Sequence, residues 1–142
     1  AGEMNAMIEA HYRGDIPLKE GVALYLDRLR RDGVRMCVAS ATALPLMKAC
    51  LDRLGVLDYF DFLLSCEEVG WGKDRPDVYH EAARRLGASP GEIAVYEDAL
   101  GAAKTAKMAG YYVVAVYDGG TQPWEELKKL ADEAIDNWKE EI

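Results

Sequence analysis

Three places in this 142-residue chain carry side chains that can do chemistry. The first is an apolar run, Ile93-Ala94-Val95-Tyr96, that ends in two acids, Glu97-Asp98, before the helix-forming stretch Ala99-Leu100-Gly101-Ala102-Ala103. Adjacent carboxylates at the end of a buried strand are costly unless a positive group neutralises them. A hard divalent cation such as Mg²⁺ meets that need, since it takes oxygen ligands and leaves positions for water and phosphate. The alternative is a helix N-terminus, where acids complement the dipole. The second place is Ser40, at the end of the apolar run Val34-Arg35-Met36-Cys37-Val38-Ala39 and followed by Ala41-Thr42. A small hydroxyl beside free backbone N–H groups suits a phosphate oxygen, and it also suits a plain helix N-cap. The third is Lys73, in the polar, glycine-bearing stretch Glu67–Asp77, just ahead of a helix start at Pro76-Asp77. A lysine held between glycines and a proline can balance clustered carboxylates and a phosphate, or it can simply be solvated.

These groups occur in the order strand-Ser, loop-Lys-helix, strand-Glu-Asp. Open α/β sheets bind ligands outside the carboxyl ends of their strands. A hydroxyl, an ammonium and a metal-binding acid pair are the parts that phosphoryl transfer uses, because its chemistry is largely charge neutralisation and positioning.

The motifs resemble those of the haloacid dehalogenase (HAD) superfamily, in its β-phosphoglucomutase-like and phosphoglycolate-phosphatase-like branch. Val38-Ala39-Ser40-Ala41-Thr42 resembles the family's second motif, Gly72-Lys73-Asp74-Arg75-Pro76-Asp77-Val78-Tyr79 its third, and Val95-Tyr96-Glu97-Asp98-Ala99-Leu100-Gly101-Ala102 its fourth. The stretch Ile16–Val22 resembles the family's lead-in to the helix before the second motif, and the likeness covers residues 14–136. It implies a Mg²⁺-dependent phosphohydrolase acting on a small phosphorylated metabolite through an aspartyl-phosphate. In that scheme Ser40 and the Ala41 N–H hold the phosphate, Lys73 neutralises it and steadies the nucleophile, and Asp98 with Glu97 holds Mg²⁺. A sugar-phosphate mutase is the alternative chemistry. Ala43-Leu44 offer no polar grip for a second phosphate, Ala99 stands where the family usually has serine, and Asp74 where it has proline; these changes lean toward a phosphatase. Receiver domains use similar groups in a different chain order.

One departure is large. The family's nucleophile is the first aspartate of a D-x-D motif on its first, central strand, and no segment of residues 1–142 matches it. Residues 1–13 resemble the last helix of the family's mobile cap, and 14–142 the α/β core. The expected fold is therefore a Rossmann-like, doubly wound parallel sheet lacking its first central strand, with a remnant of a helical cap. The strands of 34–39 and 93–96 should flank either a further strand or an empty slot. The partner implied is a separate N-terminal fragment supplying the nucleophile strand, and the chain alone is expected to be inactive. Without such a fragment it is a non-catalytic phosphate-binding remnant.

Composition fits one soluble α/β domain: 50% of residues are hydrophobic, 30% are charged, and no apolar run approaches the ~20 residues of a membrane span. A net charge of −8 argues against nucleic acid or an anionic membrane as partner. Cys37, Cys50 and Cys66 match no metal or redox spacing and read as reduced thiols, which suits the cytoplasm. His11 and His80 have no partners at ligand spacing. The remaining pattern alternates helix and strand: helices over Leu18–Arg31 (Val22, Leu24, Leu26 and Leu29 inward), Pro45–Leu54, Pro76–Leu86, Ala99–Ala109 and Pro123–Leu130, and strands at Phe62–Leu64, Tyr111–Val116 and Ala134-Ile135. Trp71 reads as a packing residue or a pocket-mouth residue.

Overall fold

A computed structural model describes residues 5–9, 21–117, 119–120 and 123–141. Six strands form one parallel sheet: β1 (Asn5–Glu9), β2 (Met36–Ser40), β3 (Phe62–Ser65), β4 (Ile93–Glu97), β5 (Tyr112–Val116) and β6 (Glu133–Ile135), in the spatial order β3-β2-β1-β4-β5-β6. The helices are α1 (Val22–Arg31), α2 (Leu44–Arg53), α3 (Cys66–Val69), α4 (Asp77–Leu86), α5 (Leu100–Met108) and α6 (Trp124–Leu130). The expected doubly wound α/β fold is thus present. Strands covered on both faces must be apolar on both faces, and alternation along them feeds two cores. Met7, Cys37, Ala39, Ile93, Val95, Val113 and Ala115 pack with α3–α6. Ala6, Met36, Val38, Ala94, Tyr96 and Val114 pack with α1, α2 and Trp138.

The centre of the sheet corrects the sequence reading. The strands of 36–40 and 93–97 do flank a further strand, as one of the two expected arrangements required, but the chain itself supplies it. Ala6–Glu9 pair with Met36–Ala39, and Asn5–Ile8 pair with Ile93–Tyr96. The slot is filled, and residues 5–9, read as cap helix, are extended. The reason is tertiary. An open slot leaves two rows of unpaired N–H and C=O groups and two exposed apolar margins. A segment with Ala6 and Met7 to bury satisfies both, and its helix preference of a few tenths of a kcal/mol per residue, ~0.5 at most, is too weak to resist. The rest of the expected cap helix, the boundary at residues 13 and 14, and His11 lie outside the described residues.

Helix α1 begins at Val22, and its inward face is Val22, Tyr25, Leu26 and Leu29. That is the i, i+3, i+4, i+7 stripe of an α-helix. Leu24, expected inward, falls off this stripe and is 60% exposed. The stretch after β3 is not all loop. Ser65 caps α3 in a capping box, its Oγ accepting the Glu67 N–H and the Glu68 carboxylate accepting the Ser65 N–H.

Gly21 caps α1 at φ +92°, and a Cβ there would come 2.9 Å from the Lys139 backbone nitrogen. Gly21→Ala is expected to cost about 2 kcal/mol and to lower Tm by roughly 5–10 °C. Gly33 has φ +81° but open space around its Cα, so Gly33→Ala should cost about 1 kcal/mol at most. Equal losses in thermal melts would remove the steric part of this account.

The thiols also divide by burial. Cys37 is fully buried, and desolvation pushes its thiol up to about 12. Cys66 is buried and also raised by desolvation, while Cys50 is only partly buried. A thiol reagent at pH 8 should therefore label one cysteine in the native protein and all of them in denaturant, because only a thiolate within reach reacts. Fast native labelling of Cys37 would contradict the packing of β2.

Candidate phosphate and metal site

Going outward from β1, the strand order runs one way through β2 and β3 and the other way through β4, β5 and β6, so the order reverses between β1 and β4. The crevice outside the carboxyl ends at such a point is where doubly wound sheets bind ligands. Ser40 is the last residue of β2, and Glu97 the last of β4. Ala39 is in register with Glu9 and Tyr96 with Ile8. Ser40 and Glu97 therefore close the two strands flanking β1, roughly 9–10 Å apart at two strand spacings. Lys73 comes to this edge from the loop before α4.

Lys73 Nζ lies 3.2 Å from Glu97 Oε2, with the Glu97 side chain wholly buried and that of Lys73 12% exposed. Glu97 Oε1 accepts the backbone N–H groups of Asp98 and Ala99, each at 3.2 Å. The Tyr79 hydroxyl shares its proton between Glu97 Oε2, at 3.5 Å, and the Ala102 carbonyl, at 3.2 Å. The Lys73 ammonium also sits 5.9 Å from the centre of the Tyr79 ring. Burial pushes Glu97 above the ordinary carboxylate range and Lys73 below the ordinary lysine range, and their attraction for one another opposes both shifts. The charge of Asp98 also acts on Lys73, favouring its ammonium form.

This geometry divides the acid pair. A carboxylate has about four acceptor positions, and those of Glu97 are directed to backbone N–H groups, Lys73 and Tyr79. Glu97 holds the lysine through Oε2. Asp98 is half-buried and borders a cavity of about 50 Å³ with Ile8, Tyr96, Val116 and Trp138. One carboxylate, joined by waters and a phosphate, suits Mg²⁺, which seldom takes an all-protein cage. Among the described residues no group of three His, Cys, Asp or Glu side chains stands ready as a closed metal site.

Ser40 is buried, and its Oγ accepts the Thr42 N–H at 3.1 Å. Helix α2 starts at Leu44 with Ala43 as its N-cap. The N-cap reading of Ser40 is therefore not met; its hydroxyl instead shapes the turn through Ala41 at the carboxyl edge. Alternation places Ser40 on the α1/α2 side of the sheet and Glu97 on the α4/α5 side, so the two approach β1 from opposite faces.

Tyr79 is the residue that sequence reading left without a role. Its aromatic character was visible, but the partner of its hydroxyl lies 18 residues away across the fold. His80 is exposed on α4 and bonds the Tyr111 hydroxyl through Nδ1 at 2.8 Å, away from this edge. Trp71 is 50% exposed, and the Arg75 guanidinium stacks 3.9 Å from its ring centre. It is a surface residue of the Lys73 loop, covered by its own neighbour. No helix among the described residues is long and apolar enough to cross a membrane.

Comparison with known proteins adds three findings. A family model described as haloacid dehalogenase-like hydrolase matches residues 2–110. Protein CbbY of Cereibacter sphaeroides is 32% identical over 131 residues, covering 89% of this chain and 56% of that protein; hexitol phosphatase B of Escherichia coli is 31% identical, covering 70% and 46%. The crystal structure of CbbY from Rhodobacter sphaeroides in complex with phosphate superposes with a TM-score of 0.77 at 31% identity, over 89% of this chain and 57% of that one. The chain spans about half the length of the curated relatives it matches.

Proposed function

Since the chain belongs to the haloacid dehalogenase-like hydrolase family, we propose that it forms the lysine- and acid-bearing part of a phosphohydrolase acting on a small phosphorylated metabolite. The observation that supports this most is the buried Lys73–Glu97 pair beside Asp98, at the reversal of strand order. A buried ammonium at that edge has one evident use, to hold negative charge. Glu97 fixes its position through Oε2.

In this reading the Ser40 hydroxyl and the Ala41 N–H orient the transferring phosphate from the β2 side. Lys73 withdraws charge from its oxygens on the β4 side, where burial strengthens the interaction. Asp98 is the residue of this chain that would hold Mg²⁺. The cation, when bound, neutralises phosphate charge and orients the group for in-line attack. The nucleophile is an aspartate of a D-x-D strand that residues 1–142 do not contain, and the reaction passes through an aspartyl-phosphate that water then cleaves. Relatives include both phosphatases and a β-phosphoglucomutase. Ala43 and Leu44, which offer no second phosphate grip, favour hydrolysis. Reduced thiols suit a cytoplasmic setting.

The test is hydrolysis of an aryl phosphate by the 142-residue chain and by the same chain joined to a D-x-D-bearing strand. Turnover with Mg²⁺ in the second protein, silence in EDTA, and no turnover by the chain alone are expected. Full activity in EDTA would remove the metal role of Asp98. Turnover by the chain alone would remove the external nucleophile.

A further inference from the structure

We infer that Tyr79 is a positioning residue for Lys73: its ring lies against the ammonium and its hydroxyl reaches the carboxylate with which that ammonium pairs, so one side chain fixes where the cation stands. The inference rests on the phosphohydrolase reading only for the use to which the placed lysine is put. How the lysine is held follows from the geometry.

A lysine needs such a device. Its ammonium is a compact point charge on a flexible four-carbon stem, and a single contact leaves much of the stem's rotamer freedom in place. Lys73 also stands in the loop before α4 and not on a strand or helix. Three contacts close a triangle around it. Lys73 Nζ is 3.2 Å from Glu97 Oε2, the Tyr79 hydroxyl is 3.5 Å from the same oxygen, and Nζ is 5.9 Å from the centre of the Tyr79 ring. A cation within about 6 Å of a ring face is attracted by the ring quadrupole. The ammonium is thus fixed from two directions, by an anion and by a π face, and Tyr79 touches both sides of that grip.

Tyr79 is itself held. It is the third residue of α4, it is wholly buried, and its ring packs tilted on that of Tyr111 with centres 5.8 Å apart. Its hydroxyl also lies 3.2 Å from the Ala102 carbonyl. A carboxylate and a carbonyl can only accept, so the hydroxyl donates to them, and one proton shared between two acceptors gives two longer contacts in place of a short one. Ala102 belongs to α5, which follows the acid pair, whereas Lys73 precedes α4. The hydroxyl therefore ties the unit that carries the lysine to the unit that carries the acids. Packing alone does not ask for this oxygen. Phenylalanine presents the same ring, and a hydroxyl taken out of water costs free energy unless it is bonded. The bonds to Glu97 and Ala102 are what this buried oxygen gains.

The test compares Tyr79→Phe with Tyr111→Phe in the 142-residue chain. Each change removes one hydroxyl and keeps its ring, and the Tyr111 hydroxyl bonds His80 Nδ1 at 2.8 Å, away from the site. The readout is the NMR signal of the Lys73 side chain. A held stem gives its two Hε protons separate shifts, and a freely rotating stem averages them. The parent and Tyr111→Phe should show the separation, and Tyr79→Phe should lose half of it or more. Both variants should melt within about 5 °C of the parent. The same proteins are titrated with inorganic phosphate, whose Kd should rise about three- to tenfold in Tyr79→Phe alone. A single averaged Hε signal in the parent, an undiminished separation in Tyr79→Phe, or an equal loss in Tyr111→Phe overturns the inference. So does a Tyr79→Phe chain that fails to fold, since the residue would then serve the fold and not the lysine. Phosphate binding that Tyr79→Phe leaves unchanged overturns it as well. If the parent binds no phosphate while the Hε signals behave as expected, the positioning role stands and the phosphohydrolase reading falls.

Discussion

Replacing Lys73 by methionine is expected to destabilise the fold by about 3–5 kcal/mol, because it leaves the Glu97 carboxylate buried without its cation. Glu97 keeps the Asp98 and Ala99 N–H groups and a share of the Tyr79 hydroxyl, which is too little for a side chain with no exposure. The double variant Lys73→Met/Glu97→Gln should recover most of the loss, to within about 1–2 kcal/mol of the parent, since no unpaired charge remains. The single variant's deficit should also depend on pH in a definite direction. Burial holds the Glu97 carboxyl above its ordinary value of 4.5, and removal of Lys73 takes away the strongest opposing influence. A folded-state value above the unfolded one means the folded state binds more protons in that window. Its contribution to stability is therefore fully present below 4.5 and is lost as pH rises through the raised value. Urea titrations at pH 5 and pH 8 should show a smaller deficit at pH 5. A loss of under about 1 kcal/mol for Lys73→Met would mean the pair is solvated, as exposed pairs are.

Asp98→Asn is expected to behave in the opposite sense, leaving the fold close to intact while abolishing chemistry. Asp98 is half-buried and follows the last residue of β4. In the protein completed by a D-x-D strand, kcat/KM for an aryl phosphate should fall by about 10²–10³, with the Mg²⁺ dependence lost along with it. Its thermal midpoint should move less than that of Lys73→Met. Glu97→Gln is the informative companion: a variant that loosens Lys73 should lose activity and stability together, whereas loss of a metal ligand should cost activity alone. If Asp98→Asn retained activity within tenfold of the parent at saturating Mg²⁺, the acid pair would have to be reassigned.

The two variants separate because the sequence places Glu97 and Asp98 side by side while the fold gives their side chains different neighbours. Successive residues of a strand point to opposite faces, and Glu97, as the last residue of β4, still obeys that alternation. Its carboxylate is carried to the α4/α5 side, where Tyr79 and Lys73 meet it. Asp98 lies past the strand and joins the lining of the small cavity with Tyr96 and Trp138. A pair of adjacent acids reads as one unit along the chain, while the fold gives the two side chains different neighbours.

Local pattern determined a great deal by itself. The alternation of helix and strand, the parallel doubly wound sheet, and the positions of Ser40, Lys73 and Glu97-Asp98 at carboxyl ends all follow from hydrophobic period and turn chemistry, which act over a few residues. The identity of the central strand, the burial of Lys73, the partner of Tyr79 and the different neighbours of the two acids were decided by the tertiary structure. Each depends on what lies across the sheet rather than along the chain. Asn5–Glu9 illustrates the reason most clearly: a five-residue segment's own preference amounts to tenths of a kcal/mol per residue, roughly 0.5 at most, while leaving two sheet edges and two apolar margins uncovered costs several-fold more. Where that imbalance exists, the vacancy in the fold chooses the conformation and the sequence only supplies the candidate.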